Sequence, residues 1–221
     1  MTQLSFDLPP QVSLGPDDFF VSEANARPYA MVTAPDSWPE GKLALVGPSG
    51  SGKSHLARVF QHITGAAIWS AEALPATLPD TPVVIEDMER LPQASEETAF
   101  HLHNHLRSSR LPLLLTATEP PARWNIRLPD LASRMQAASL AEIGDPDDRL
   151  LTAVLMKHFS DRQLAPKPRL VDYLATRIER SFAAAADIVA RLDAEALATG
   201  TKVNEGLARR LLDNTEEAEE D

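Results

Sequence analysis

The sequence predicts an α/β fold, a parallel five-stranded sheet flanked by helices, followed by a small all-helical domain. Short apolar runs alternate with amphipathic helices as far as Ile143, and after Gly144 the apolar stripes are helical in spacing. Alternation of that kind needs crossover connections, and these join parallel strands. A glycine-rich turn directly after the first apolar run marks the sheet edge where chemistry is expected.

Residues 1–16 are proline-rich and lack helical periodicity, so an extended tail is expected, with residues 1–12 as its own segment. A core domain is expected over 13–145. Its first strand is Leu43-Ala44-Leu45-Val46, a buried apolar run. A helix follows from Lys53 to Ile63, with Leu56, Val59, Phe60 and Ile63 on one face. Ala67-Ile68-Trp69 and Val83-Val84-Ile85 read as the next strands, and Glu96 to Ser109 as a helix with Ala99, Leu102 and Leu106 inward. Leu113-Leu114-Leu115-Thr116 and Leu140-Ala141-Glu142-Ile143 complete the sheet. Helices are expected over 146–162, 168–178, 181–198 and 203–213, with Asp145 as cap and Pro146 in the first turn of the first one. This helical lid spans 146–214. The closing run Glu216-Glu217-Ala218-Glu219-Glu220-Asp221 reads as a frayed acidic tail, so 215–221 are expected to be disordered.

Composition narrows the function classes. The 221 residues include no cysteine, which excludes disulfides, thiolate metal sites and thiol catalysis. Net charge is −11 with no evident basic patch, which argues against direct sequence-specific DNA binding. No apolar run approaches the roughly 18 residues a membrane span needs, and the N-terminus lacks the features of a signal peptide. A cytoplasmic protein is expected.

Gly47-Pro48-Ser49-Gly50-Ser51-Gly52-Lys53-Ser54 matches the phosphate-loop pattern G-x-x-x-x-G-K-[ST] in full. Its glycines let backbone N–H groups curl around phosphates without Cβ clashes. Lys53 reaches the β- and γ-phosphates, Ser54 offers a hydroxyl to Mg²⁺, and the helix behind points its N-terminal dipole at the anion. His55 joins the expected nucleotide-contacting set. Downstream, Val83-Val84-Ile85-Glu86-Asp87 carries two carboxylates to the edge where Mg²⁺ and the attacking water sit. Glu86 is expected to hold the metal and Asp87 to orient water. The cofactors are therefore ADP or ATP with Mg²⁺.

Leu113-Leu114-Leu115-Thr116-Ala117-Thr118-Glu119-Pro120-Pro121 and Leu128-Pro129-Asp130-Leu131-Ala132-Ser133-Arg134 resemble the sensor-1 strand and arginine-finger segment of the DnaA/Hda family of AAA+ proteins. Phe100 to Leu106 is similar to that family's helix before sensor 1. Leu14 to Val21 and Asn25 resemble its N-terminal segment, which packs against adenine. The likeness extends over roughly residues 1–212. It implies a P-loop AAA+ core with a helical lid, Arg134 as an arginine finger acting in trans, and Phe20 and Asn25 in the cofactor site. It further implies DnaA and the DNA polymerase III β sliding clamp as partners, a homo-oligomer as a further arrangement, and negative regulation of replication initiation. Gln3, Leu4, Phe6 and Leu8 resemble the clamp-binding peptide of that family, in which an extended segment fills apolar pockets.

Three positions depart from the family pattern. Glu86 stands where Asp is usual, and Thr118 where sensor 1 is often Asp. Near Arg180, the sensor-2 arginine is replaced by Ala183 or Ala184. These departures imply nucleotide binding with weak intrinsic hydrolysis. Two other classes stay open: an autonomous P-loop ATPase or kinase, which transfer to an added acceptor would reveal, and a DnaA-like initiator or loader, which a gel shift would reveal. His101, His103 and His105 do not share one helix face, which disfavours a metal site.

Overall fold

The computed structural model describes residues 19–219, with side chains through Asp213. These residues divide into two compact units, one ending at Asp145 and the other beginning at Pro146. Gln3, Leu4, Phe6 and Leu8 lie outside the described residues.

The first unit holds strands β1 (Lys42–Val46), β2 (Ala67–Ser70), β3 (Val83–Glu86), β4 (Leu113–Ala117) and β5 (Ser139–Glu142) in one sheet of order β2-β3-β4-β1-β5. Every pairing is parallel, with Leu43 opposite both Leu114 and Ser139. Both faces are covered, as parallel sheets require. Alternation splits the strands' side chains. Ala44, Val46, Ile85 and Leu115 join Leu102 and Leu106 of α3 (Glu96–Ser108) and Leu131 and Met135 of α4 (Pro129–Gln136) in one core. Leu43, Leu45, Val84 and Leu114 are buried on the other face, where Leu56 and Phe60 of α2 (Lys53–Thr64) are also fully buried. The helices α1 (Ala26–Val32) and α4 are not among the elements read from the sequence.

The second unit is helical: α5 (Asp148–Asp161), α6 (Pro168–Ala175), α7 (Phe182–Thr199) and α8 (Glu205–Glu219). Leu151, Leu155, Phe159, Leu170, Leu174, Ile188 and Leu192 form its core. Two details differ from the sequence reading. The cap of α5 is Asp147, whose carboxylate accepts the Leu150 N–H at 2.8 Å, since a capping oxygen reaches a donor three residues on and Asp145 stands too early. The expected disordered tail over 215–221 is helical as far as Glu219.

At the starting edge of the sheet, Lys42 and His103 are buried together, with Nζ and Nε2 3.2 Å apart. Burial, then the Lys42 charge, then Arg134 and Arg107, push the His103 imidazole down to about 4, while the Asn104 side chain works the other way. The fold therefore accepts the neutral ring. His103 contributes stability that is whole above about pH 6.5 and is lost as pH falls through about 4, a loss of roughly 3 kcal/mol at most. Melting curves at pH 7 and pH 4 should show His103→Gln losing less stability on acidification than wild type. Parallel losses would locate acid sensitivity elsewhere.

Candidate nucleotide-binding site

The phosphate loop leaves the carboxyl end of β1 and enters α2. Its glycines are placed where side chains do not fit. Gly50 and Gly52 have φ of 79° and 95°. A Cβ at Gly47 would stand 2.8 Å from Ser51 Oγ and 3.0 Å from Ile143 Cβ. Lys53 lies under the loop, 8% exposed, and its ammonium donates to the carbonyls of Gly47 at 2.7 Å and Pro48 at 2.9 Å. Burial lowers its pKa, and Glu89, Asp87 and Glu86, in that order, hold it up. Ser51 Oγ is buried without a hydrogen-bond partner. Ser54 is exposed at the first turn of α2. A glycine cradle, a buried ammonium and an unpaired hydroxyl together fit a polyphosphate, whose oxygens supply the missing acceptors.

The acidic segment ends β3. Glu86 and Asp87 are half-buried, and Asp87 adopts the left-handed conformation with φ 58° and ψ 51°. Asp87 donates its N–H to Thr116 Oγ1 at 3.3 Å. The turn Met88–Arg90 then swings Glu89 across to Thr118, whose N–H and hydroxyl both donate to Glu89 Oε1, at 2.9 and 2.6 Å. Thr118 is thus fastened by a carboxylate two residues beyond Asp87, and the other oxygen of that carboxylate is buried without a partner. Neither Glu89 nor Thr116 was selected from the sequence. Thr116 had a legible signal, a polar residue inside an apolar strand. Glu89 had none, because its role depends on β3 and β4 being neighbours.

Phe20 is exposed, and it is Phe19 that faces the loop, its ring 3.3 Å from where a Gly52 Cβ would stand. Phe19 stacks on Tyr29 with centroids 5.7 Å apart and meets His55 edge-on at 5.1 Å. Asn25 is buried and spends its amide on the backbone, accepting from Ser22 N–H at 2.8 Å and donating to the Phe20 carbonyl at 2.9 Å. It shapes the turn that presents Phe19.

Arg134 stands apart from this group. It is in the last turn of α4, and three residues after that helix Ser139 opens β5 beside Leu43 at the start of β1. The phosphate loop begins at the other end of β1, about 13 Å of strand away at the usual rise per residue. The charges around Lys42 agree: they include Glu40, Arg107 and Arg134, whereas those around Lys53 are Glu89, Asp87 and Glu86. The Arg134 guanidinium lies over the Phe100 ring at 5.1 Å. The loop entering α4 is held by buried Glu96, which accepts the N–H groups of Arg127 and Leu128 at 3.0 and 2.7 Å. In the helical unit, Ser181 caps α7 through Ala184 N–H, Ala183 is exposed, and Arg180 pairs with Asp148 at 2.9 Å.

No family model matches the chain. Over 102 residues it is 24% identical to the chromosomal replication initiator protein DnaA of Cutibacterium acnes, covering 45% of this chain and 20% of that protein. In structure it is similar to domain III of Thermotoga maritima DnaA, with TM-score 0.72, 16% identity, and coverage of 94% of this chain and 98% of the other. It is also similar to a replication initiator DnaA bound to AMPPCP and single-stranded DNA, with TM-score 0.65, 18% identity and coverage of 93% and 69%. A Thermotoga maritima RuvB variant aligns with TM-score 0.64, 16% identity and coverage of 91% and 72%. The fold is therefore the AAA+ fold shared by DnaA domain III and RuvB.

Proposed function

We propose that this chain is a cytoplasmic, adenine-nucleotide-binding regulator that binds the sliding clamp and stimulates ATP hydrolysis by DnaA in trans through Arg134, switching off replication initiation. The observation that carries the reading is the separation of Arg134 from Lys53. An arginine at the opposite edge of the sheet from its own phosphate loop cannot serve that loop, but it can face a nucleotide held by a neighbour. The DnaA-like fold and the partial sequence match to DnaA support a DnaA-type neighbour, and a second copy of this chain would present the same geometry.

The loop residues Gly47 to Ser54 and His55 would hold ADP or ATP, with Phe19 as the aromatic wall. Solved DnaA structures that share this fold contain AMPPCP. Ser54 and Glu86 would hold Mg²⁺, which supplies charge neutralisation across the phosphates. Lys53 binds and orients the phosphate chain, Asp87 orients water, and Thr118, restrained by Glu89, lines the same edge.

The chain's own hydrolysis is expected to be slow. The restrained Thr118 is a weaker water-positioning group than a carboxylate, and alanines stand where a sensor-2 arginine is usual. Turnover by the isolated chain should stay below about 1 s⁻¹, the low end of ordinary enzyme rates. A second reading, an autonomous ATPase, has one observation in its favour: three carboxylates act on Lys53. Turnover above that limit would support it.

Clamp binding is assigned to residues 3–8. Removing residues 1–10 should leave melting temperature and nucleotide binding unchanged and abolish capture by immobilised clamp. Retained capture would place the contact elsewhere.

A further inference from the structure

Away from the phosphate loop, a cavity of about 350 Å³ opens at the starting edge of β1 and β4. Lys42, His103, Arg107 and Arg110 line it, together with Asp36 and Glu40. Lys42 and His103 are each 3% exposed. Among the described residues no carboxylate lies within ion-pair distance of Lys42 Nζ, and its one hydrogen-bonding neighbour is the neutral base His103. His103 Nδ1 is buried and has no partner in good hydrogen-bonding geometry, the Asn104 side chain being the polar group beside the ring. A buried ammonium without a counter-ion beside an unpaired imidazole nitrogen is costly unless something anionic completes the set.

The rim adds to this. Arg107 pairs with Glu40 at 3.4 Å, and with both side chains about half exposed this surface pair is weak enough to open toward an anion. Arg110 closes α3 in the left-handed conformation, φ 56°, a place that glycine occupies without strain. Arg110 lines the cavity, and among the described residues its guanidinium has no ion-pair partner.

We propose that this cavity is a second anion site, which takes a phosphate group through Lys42, His103, Arg107 and Arg110. An ammonium from β1, and an imidazole N–H and two guanidiniums from α3 and its C-terminus, match an anion with several acceptor oxygens better than they match a planar carboxylate or a halide. The volume leaves room for a substituent, so the phosphate is either free or carried on a small molecule such as a nucleotide. The proposal does not depend on what the phosphate loop binds.

Side-chain ¹H–¹⁵N spectra of the histidines separate the two sites, since His55 follows the loop and His103 lines the cavity. The full chain and its Lys53→Ala variant are titrated with inorganic phosphate and, separately, with ADP. The His103 signals should move saturably in both proteins. Arg110→Gly relieves the strained backbone and so preserves the fold. It should weaken the His103 response at least tenfold, the loss expected for one charged hydrogen bond. Lys42→Met should abolish the response. Saturation with ADP as well as phosphate identifies a carried phosphate, and saturation with phosphate alone a free one. Static His103 signals would overturn the site, as would a linear drift equal in wild type and Arg110→Gly. Failure of His55 to respond would bear on the loop alone.

Discussion

Arg134→Ala should abolish stimulation of DnaA-bound ATP hydrolysis and leave the chain's own ADP affinity and melting temperature nearly unchanged. The guanidinium is half-buried over Phe100, and α4 is anchored independently by Leu131, Met135 and the Glu96 contacts, so truncation removes a charge without removing the helix. Its value as a finger would lie in a transition state that spreads charge over the leaving phosphoryl group, and arginine fingers are typically worth about 10³–10⁵ in rate. Lysine should rescue poorly, because it lacks the planar fork. Single-turnover hydrolysis of labelled ATP on DnaA measures the loss. An alanine variant that stimulates like wild type would mean that Arg134 is a structural residue resting on Phe100.

Lys53→Ala should have the second-largest effect, weakening ADP binding at least tenfold, by roughly the 1.5–3 kcal/mol of a charged hydrogen bond. The ammonium is already desolvated and aimed beneath the loop, donating to Gly47 and Pro48 carbonyls. The fold has therefore met part of the desolvation cost before any phosphate arrives, and a phosphate gains contact with a pre-positioned charge. Burial lowers the Lys53 pKa, so the protonated form is favoured less than in a free lysine. ADP affinity should accordingly weaken first at the alkaline end of a pH series, and this limb should vanish in the alanine variant. Calorimetric titration of both proteins gives the comparison, and equal affinities would remove Lys53 from the site.

Much of this was legible in the sequence because it is local. The phosphate loop is contiguous, and its glycines fall where the backbone turns left-handed or where Ser51 and Ile143 leave no room for a Cβ. Strand and helix periodicities located all five strands to within a residue or two. What escaped was set by contacts between distant segments. Glu89 meets Thr118 only because β3 and β4 pair in register. Phe19 rather than Phe20 faces the loop because the Asn25 amide fixes the turn between them and α1. The His103–Lys42 pair joins residues 61 apart, and no spacing rule foretells it. The histidine run in α3 divides three ways: His103 is buried, His105 contacts the Pro79 carbonyl, and His101 is exposed beside Phe100.

Action on a neighbour's nucleotide is tested most directly by one measurement. DnaA is preloaded with γ-labelled ATP, clamp-loaded DNA is added, and phosphate release is followed with and without this chain. Action in trans predicts release well above DnaA's unaided rate with the intact chain, falling to that rate when residues 1–10 are removed or Arg134 is replaced by alanine. Equal release with and without the chain would contradict it.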